Sequence, residues 1–252
     1  MGKDQGLGAN FYIDGVDLSG DTNALSKISK SLLPLDFTGI DKFAYEKLPG
    51  KLDGAIDWES FMNPTAGQSH PTLSNPPRTD RIITYVHKAA VLGTPCASIV
   101  VKQMDYGVNR PTDGRLITSV KSLANAYWLD WGRSLTTGKA TLSAAGNTTG
   151  VDFQIMGAPA AFGLQAYLQV FAFTGTDATL TLQGSSDNAV GDPYANITGG
   201  GFTVVTSAPQ AQRIATARNL AVERYMRVNV AGTFTNLVFQ LQVNVNSTEM
   251  IL

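Results

Sequence analysis

Alternation of hydrophobic and polar residues dominates this chain and predicts β-strands. Residues 237–245 alternate most regularly, and residues 164–173, 179–183 and 224–230 follow the same period of two. Turn-forming residues separate these runs at 175–177, 185–188, 199–201 and 231–232. Several short strands divided by turns are typical of an antiparallel β-sandwich, which we expect in the C-terminal part of the chain.

The N-terminal part predicts a smaller sheet or barrel. Residues 11–13 and 16–18 flank Asp14-Gly15, a pair suited to a tight hairpin turn. Residues 32–40 and 55–61 read as strands, and in the second Ile56 and Trp58 alternate with two carboxylates. Between them, residues 41–53 form a long charged segment with two aromatic residues, predicted as a loop. Long loops in compact domains are often functional.

One helix is predicted to pack on this sheet. It covers residues 78–92, with Thr79 or Asp80 as the cap and with Ile82, Val86 and Ala90 at four-residue spacing. A proline-rich loop over residues 63–78 precedes it, and strands over 97–106 and 115–131 follow. The predicted fold class is therefore mainly β: an N-terminal β-sandwich or barrel with one packed helix, then a C-terminal antiparallel β-sandwich.

Charged residues are unevenly distributed along the chain. Residues 1–140 contain 15 of the 19 basic and 14 of the 20 acidic residues, although they make up little more than half of the 252 residues. This shift predicts a domain over 1–138, a small polar linker over 139–150 and a second domain over 151–252. The net charge of -1 argues against a basic surface for nucleic acid or anionic membranes.

Few residues suit catalysis or metal binding. The chain has one cysteine and two histidines, which are too few for most Cys/His metal sites and offer little basis for a histidine-dependent catalytic triad. Cys96 is predicted to be a buried, small hydrophobic residue. The N-terminal residues lack the apolar core of a secretory signal, and no apolar run approaches the ~18 residues of a membrane helix. We therefore predict no enzyme activity, no cofactor and no metal.

Asp57 and Glu59 leave one alternative open. They lie on one face of a predicted strand, about 7 Å apart along the backbone, a separation comparable to that of paired glycosidase carboxylates. A solvated strand face explains the pair more simply, because period-two alternation creates such pairs by itself. A third interpretation is a wall that faces a polar channel.

The first part has a glycine-rich start, a short hairpin and the segment LPLDFTGIDKFAYEKLPGKLDGAIDWESFMNP, residues 33–64, followed by the predicted helix and paired strands. In these features, over about residues 1–135, it resembles the major tail (tail tube) proteins of long-tailed, non-contractile bacteriophages. The sequence of the whole chain, including residues 163–188 and 223–234, is also similar to tail proteins of actinobacterial phages. The resemblance to tail tube proteins implies a tube domain that forms six-fold rings, which stack around a channel for DNA, and an appended outer β-sandwich.

The resemblance also implies roles for particular residues. The long loop would reach a neighbouring ring, with two aromatic anchors and four charged residues as the candidate stacking set: Lys42, Phe43, Tyr45, Glu46, Lys47 and Lys51. Asp57 and Glu59 would be candidates for the lining of the channel. A channel wall without a basic stripe would let DNA pass, because phosphate attraction is avoided.

The implied partners are further copies of the chain, a tape measure protein, and tail terminator and distal tail proteins. DNA would contact the lumen only transiently and without sequence specificity, and no membrane is involved. The implied location is the virion tail, with assembly in the host cytoplasm and a role in genome ejection. Two rivals remain: a carbohydrate- or receptor-binding tail module that uses loops such as 185–188 with Tyr194, and a capsid decoration or other head protein.

Overall fold

The computed structural model describes residues 5–249, and they form a mainly antiparallel β protein. The fold class predicted from the alternation is therefore confirmed. Two segments lie outside the described residues: 1–4, which belong to the N-terminus that lacks the features of a secretory signal, and 250–252, which end the predicted second domain. The strands, in chain order, are β1 (Asn10–Ile13), β2 (Val16–Asp17), β3 (Thr22–Asp36), β4 (Lys47–Phe61), β5 (Arg81–Val86), β6 (Pro95–Asn109), β7 (Ile117–Ala124), β8 (Asp130–Ser134), β9 (Ala140–Leu142), β10 (Gly146–Asn147), β11 (Val151–Asp152), β12 (Leu164–Ser185), β13 (Ala195–Gly201), β14 (Gln210–Ala215) and β15 (Tyr225–Val245).

Continuous pairing connects the strands from one end of the described chain to the other. The central path runs β13-β12-β15-β8-β6-β5-β1-β2, and β7, β4 and β3 continue from β6 in that order. The buried apolar residues nevertheless fall into two main clusters. One is built from residues 11–129 and the other from residues 135–245, and we call these halves the N-terminal and C-terminal lobes.

The first hairpin agrees with its prediction. β1 and β2 pair with Ile13 opposite Val16, and Asp14 and Gly15 in the turn have φ angles of 50° and 78°. A side chain at Gly15 would collide with the Val170 carbonyl oxygen. Glycine is therefore required here both by the positive φ and by the close approach of the C-terminal lobe.

The predicted helix over residues 78–92 is wrong, because Arg81–Val86 is strand β5, paired with β1 and β6. Residues four positions apart lie on one face of a helix and also on one face of a strand, so the spacing of Ile82, Val86 and Ala90 fits both structures. The β-branched residues in RIITYV favour the strand. The one α-helix among residues 5–249 is the five-residue α1 (Ser69–Leu73), inside the proline-rich segment.

Two long strands carry the C-terminal lobe, and the turns predicted within them are wrong. β12 and β15 pair from Leu164 opposite Val245 to Ser185 opposite Tyr225. The glycines predicted to form turns at 175–177 and 231–232 lie almost opposite each other in mid-strand, where the register shifts. Such bulges bend a strand without ending it. Both halves of the bent pair contribute to one apolar core. The turn at 199–201 is also wrong, since these glycines end β13.

The predicted linker over residues 139–150 is part of the C-terminal sheet. β9 and β10 lie within it, and both pair with β15. Small polar residues at an edge strand have the composition of a flexible connector, so the sequence signal is ambiguous. The division into two domains at this point stays a prediction.

A buried polar joint connects the two lobes. Tyr167, Gln169 and Gln242 lie on the polar faces of β12 and β15, where alternation predicts solvent, yet they are fully buried. The Gln169 amide donates to the Ile82 carbonyl at 3.0 Å, and its oxygen accepts from the Gly15 amide at 2.6 Å. Gln242 Oε1 accepts from Ser98 Oγ at 2.7 Å.

Asp130 is the ionisable residue at the centre of the joint. The Tyr167 hydroxyl donates to its carboxylate at 2.6 Å, and Gln242 Nε2 donates to its backbone carbonyl at 2.9 Å. Burial raises the pKa of Asp130 above its usual value. A buried polar group destabilises the folded protein unless it is hydrogen-bonded, so the joint favours the one orientation of the lobes in which these bonds form.

Candidate functional site: the arm formed by β3 and β4

Strands β3 and β4 form a long ribbon that extends beyond the sheet, which we call the arm. The two strands pair from Thr22 opposite Ser60 to Asp36 opposite Lys47. Beyond β4, only β7 continues the sheet, and its pairing with β4 covers no more than Trp58–Phe61. Within the described chain, most of the arm therefore has strand partners on neither outer edge. Unpaired strand edges are sites where another chain can add.

Asp57 and Ser122 lie where the arm leaves the sheet. One Asp57 carboxylate oxygen accepts from the Ser122 backbone amide at 3.0 Å. The Ser122 hydroxyl donates to the Ile56 carbonyl at 2.5 Å and satisfies a second backbone group just past the last paired residues. These side-chain bonds replace the next rung of the ladder, so β4 separates from β7 without leaving these two groups unpaired.

Two prolines are compatible with the ribbon because both of its edges are open. Pro34 lies opposite Pro49. Proline has no amide hydrogen to donate, so opposed prolines fit a pair whose nitrogens both point outward, away from the partner strand. The predicted loop over residues 41–53 is therefore too long. Residues 47–53, with Pro49-Gly50, belong to β4, and the connection between the strands is residues 37–46.

Residues 37–46, which we call the tip, are held by local hydrogen bonds. The Phe37 amide donates to the Glu46 carbonyl at 3.0 Å. The Thr38 hydroxyl donates to Asp36 at 2.6 Å and accepts from the Glu46 amide at 2.9 Å. The bond from Thr38 lowers the pKa of the Asp36 carboxyl. Lys42 and Glu46 form an ion pair at 3.4 Å. The tip is thus a defined turn that closes the ribbon.

The tip exposes large apolar side chains. Ile40 and Phe43 are each 109% exposed, and Tyr45 is 78% exposed with the Lys47 ammonium 5.5 Å from its ring centre. Contiguous exposed apolar surface on a small turn indicates an interaction site. All six predicted stacking residues lie on the arm: Lys42, Phe43, Tyr45 and Glu46 in the tip, and Lys47 and Lys51 in β4. Their role in stacking stays a prediction.

The sequence interpretation missed a second apolar surface on the arm. A groove of about 980 Å³ lies between the arm and the segment that connects β7 to β8. Its apolar lining comes from both sides: Leu32, Leu33, Leu35, Gly50, Leu52, Ala124, Ala126, Tyr127 and Trp128. Leu32, Leu33 and Leu35 are about half exposed, and Leu52 is partly buried. Four leucines in a segment otherwise rich in charge and turn residues were the signal that could have identified this groove.

The groove has basic groups on its aromatic side. The Lys30 ammonium lies 5.8 Å from the centre of the Trp128 ring, and the Arg213 guanidinium stacks 3.8 Å from the centre of the Tyr127 ring. Lys51 and Asp53 also line the groove. The aromatic rings thus offer apolar surface with cations nearby.

Asp57 and Glu59 lie where alternation predicts. Ile56 and Trp58, which alternate with them along β4, are buried in the N-terminal core, while both carboxylates lie on the opposite, partly exposed face of the strand. Asp57 lies opposite Lys27, and Glu59 lies between Ala24 on β3 and Ser119 on β7. Asp57 already accepts the Ser122 amide, which gives it a structural role that its neighbour does not share. A channel-facing role for the pair stays a prediction.

The loop suggested for glycan binding satisfies much of its own polar surface. The Tyr194 hydroxyl donates to Asn188 Oδ1 at 2.6 Å, and the Arg227 guanidinium lies 4.2 Å from the centre of its ring. The Ser185 hydroxyl donates to the Asp192 carbonyl at 2.7 Å. The stacking face and the hydroxyl that a sugar would use are therefore engaged within the protein. This arrangement does not favour the binding-module alternative.

Cys96 is fully buried, as predicted, and burial raises the pKa of its thiol. Its sulfur donates to the Thr94 carbonyl at 3.4 Å. A protonated buried thiol is a poor nucleophile, so Cys96 acts as a packing residue between the lobes. Across residues 5–249, no helix is long and apolar enough to span a membrane.

Comparisons with known proteins add little to this site. No family model matches the chain, and no curated protein matches it. Among solved structures, it is similar to a crystal structure of the SPP1 Dit protein (gp 19.1), described as a paradigm of the hub adsorption apparatus in phages that infect Gram-positive bacteria. That similarity has a TM-score of 0.33 and 9% identity, and it covers 94% of this chain and 99% of the Dit chain. A TM-score this low does not establish a shared fold.

Proposed function

We propose that this chain is a structural protein of a bacteriophage tail and that its copies form stacked six-fold rings, the tail tube. The arm is the observation that carries the proposal. It combines open strand edges with exposed apolar side chains at the tip, on the segment through which the sequence resembles tail tube proteins. Edge pairing between copies would give the backbone groups on these open edges protein partners in place of water.

The polar face of β4 supports a channel in this assembly. Asp57 and Glu59 lie on the face opposite the N-terminal core, which would face the lumen if the core faces outward. Carboxylates on a channel wall repel DNA phosphates and keep the DNA free to slide. The proposal includes no catalytic step, cofactor or metal. Its partners would be further copies of the chain and the other tail proteins.

Electron microscopy of the purified full-length chain tests the proposal. At concentrations that favour association, we expect six-fold rings or tubes in negative stain. The double variant Ile40→Lys/Phe43→Lys should lose them, because each lysine would have to be desolvated at a contact. Val190→Lys is the control: it adds one lysine, where the arm variant adds two, at an apolar side chain that is 93% exposed but lies outside the arm, and it is compared directly with the single variant Phe43→Lys.

Each outcome separates the proposal from its rivals. Rings or tubes from the parent chain and the Val190→Lys variant, but not from the arm variant, would support the proposal. Shells would indicate a head protein. Single particles of the parent chain at every concentration would refute the proposal and favour a binding module.

A further inference from the structure

The tip and the groove are two exposed apolar surfaces on the same chain. We propose that the tip of one copy inserts into the groove of a second copy, so that each copy both donates a tip and receives one. This inference rests on the proposed function, since it names the contact through which copies of the chain associate. The occupant of the groove is thus the segment 37–46 of a neighbour.

The tip does not fill the groove of its own chain. Ile40 and Phe43 are fully exposed, while the groove along the same arm stands open. The tip is closed by its own hydrogen bonds at the end of a paired ribbon, so it cannot fold back across the strands that support it. A second copy can present the same tip without that restriction.

The two surfaces match in size and chemistry. The groove, of about 980 Å³, lies at the upper end of the range of about 300–1,000 Å³ typical of ligand pockets, so it has room for several side chains. Phe37, Ile40, Phe43 and Tyr45 supply large apolar groups, and aromatic side chains that fill pockets contribute most of the energy at interfaces. Trp128 and Tyr127 offer rings against which they can pack.

The charges are complementary as well. The arm end from Asp36 to Lys47 carries three acidic residues (Asp36, Asp41 and Glu46) and two basic residues (Lys42 and Lys47), hence 2 - 3 = -1. Lys51 and Asp53 line the groove, while Lys30 and Arg213 lie against its aromatic rings and also act on the buried Asp130 carboxyl; counting Asp130 as ionised gives 3 - 2 = +1. Lys42 and Glu46 already pair with each other, which leaves Asp36 and Asp41 as the acidic groups that can face a basic rim. Opposite net charges favour docking in this orientation.

Such a contact is heterologous, because it joins two different surfaces of identical copies. Heterologous contacts propagate: they close into a ring or continue as a filament, according to the rotation between copies. One tip and one groove per chain therefore suffice to build a ring or a filament, and stacked rings need a second kind of contact as well, such as the edge pairing proposed above.

Disulfide trapping tests the contact in the full-length chain. Phe43→Cys places a thiol on the tip, and Ala124→Cys places one in the groove. Under mild oxidation of the assembled double variant, we expect a ladder of covalent dimers and larger multimers on a non-reducing gel. A mixture of the two single variants should give dimers only. Phe43→Cys with Thr206→Cys is the matched control, with the second thiol on the exposed surface of the C-terminal lobe. The native Cys96 is buried and should not react.

A complementation experiment avoids cysteines. Phe43→Lys disables the tip but leaves the groove intact, and Leu52→Lys does the reverse. Each variant alone should associate at least ten-fold more weakly than the parent chain in sedimentation velocity. Mixed together, they should form dimers and nothing larger, because one intact tip then meets one intact groove.

The outcomes distinguish this inference from the proposed function. Rings or tubes without a ladder beyond that of the control, or without complementation, would overturn the contact and leave the tail role standing. A ladder and complementation without rings or tubes would support the contact and refute the tail tube. Loss of both would refute both.

Discussion

Replacement of Gln169 by alanine is expected to weaken the joint between the lobes strongly. Gln169 lies on β12, is fully buried, and both accepts the Gly15 amide and donates to the Ile82 carbonyl. In Gln169→Ala the Gly15 amide loses its partner in a buried position. The Ile82 carbonyl keeps a second bond, from the Asp14 amide.

The magnitude follows from these two groups. An orphaned buried donor costs about 1–3 kcal/mol. The lost side-chain atoms leave a void, which at about 24 cal/mol per Å³ adds roughly 1 kcal/mol for a space of about 40–50 Å³. We therefore expect the free energy of unfolding to fall by about 2–4 kcal/mol. For a chain of this length, each kcal/mol lowers the melting temperature by about 2–4 °C.

Urea denaturation followed by tryptophan fluorescence measures the loss. Gln183→Ala is the matched control. It removes the same side chain from the same strand, but Gln183 is partly exposed and bonds Arg227 and Asn196 outside the joint. Substitutions at such positions usually change stability by about 0.5 kcal/mol or less. Equal losses in the two variants would refute the conclusion that the buried polar joint holds the lobes together.

Two further predictions concern charged residues. Glu59→Lys should leave tubes intact but slow genome ejection from virions that carry it, more strongly at low salt, because a basic group would then face DNA; normal ejection would contradict the lumen assignment. Because burial raises the pKa of Asp130, this residue binds its proton more tightly in the folded than in the unfolded protein. Its contribution to stability is therefore full below the usual pKa of about 3.9 and falls as the pH rises through the raised pKa. The total fall is about 1.4 kcal/mol for every pH unit that separates the folded and unfolded pKa values. Asp130→Asn should remove this fall from the pH dependence of urea denaturation, and an unchanged pH profile would contradict the assignment.

Alternation predicted the fold class because it reports directly which positions of a strand share a face. It failed where spacing fits two structures: the residues of β5 satisfy a helical interval of four as well as a strand interval of two. It also failed at Gly175 and Gly232, which permit either a turn or a bulge. Only the partner strand decides between them, since each glycine has a paired neighbour across the ladder.

The candidate site was predictable in part. The unusual length of the segment and its aromatic residues pointed to Phe43 and Tyr45, and the structure displays both on the tip. The groove was not predictable, because it forms between the arm and a segment more than 70 residues later, around Tyr127 and Trp128. A sequence pattern reports the face of a strand but not what lies across from that face.

The buried joint between the lobes was not predictable from the sequence for the same reason, and its presence affects how the tail proposal is best tested. Gln169 and Gln242 have the polar positions of a solvated strand face, yet the N-terminal lobe covers them. Removal of residues 141–252 would therefore leave Ser98 and the Asp130 carboxylate without the partners that the C-terminal lobe provides. The truncated chain would be destabilised at the joint and would also lose Arg213, which lies against Tyr127 of the groove, so its failure to assemble would not isolate the role of the tip. Point variants of the exposed tip avoid this ambiguity, because no buried group of the lobes depends on them.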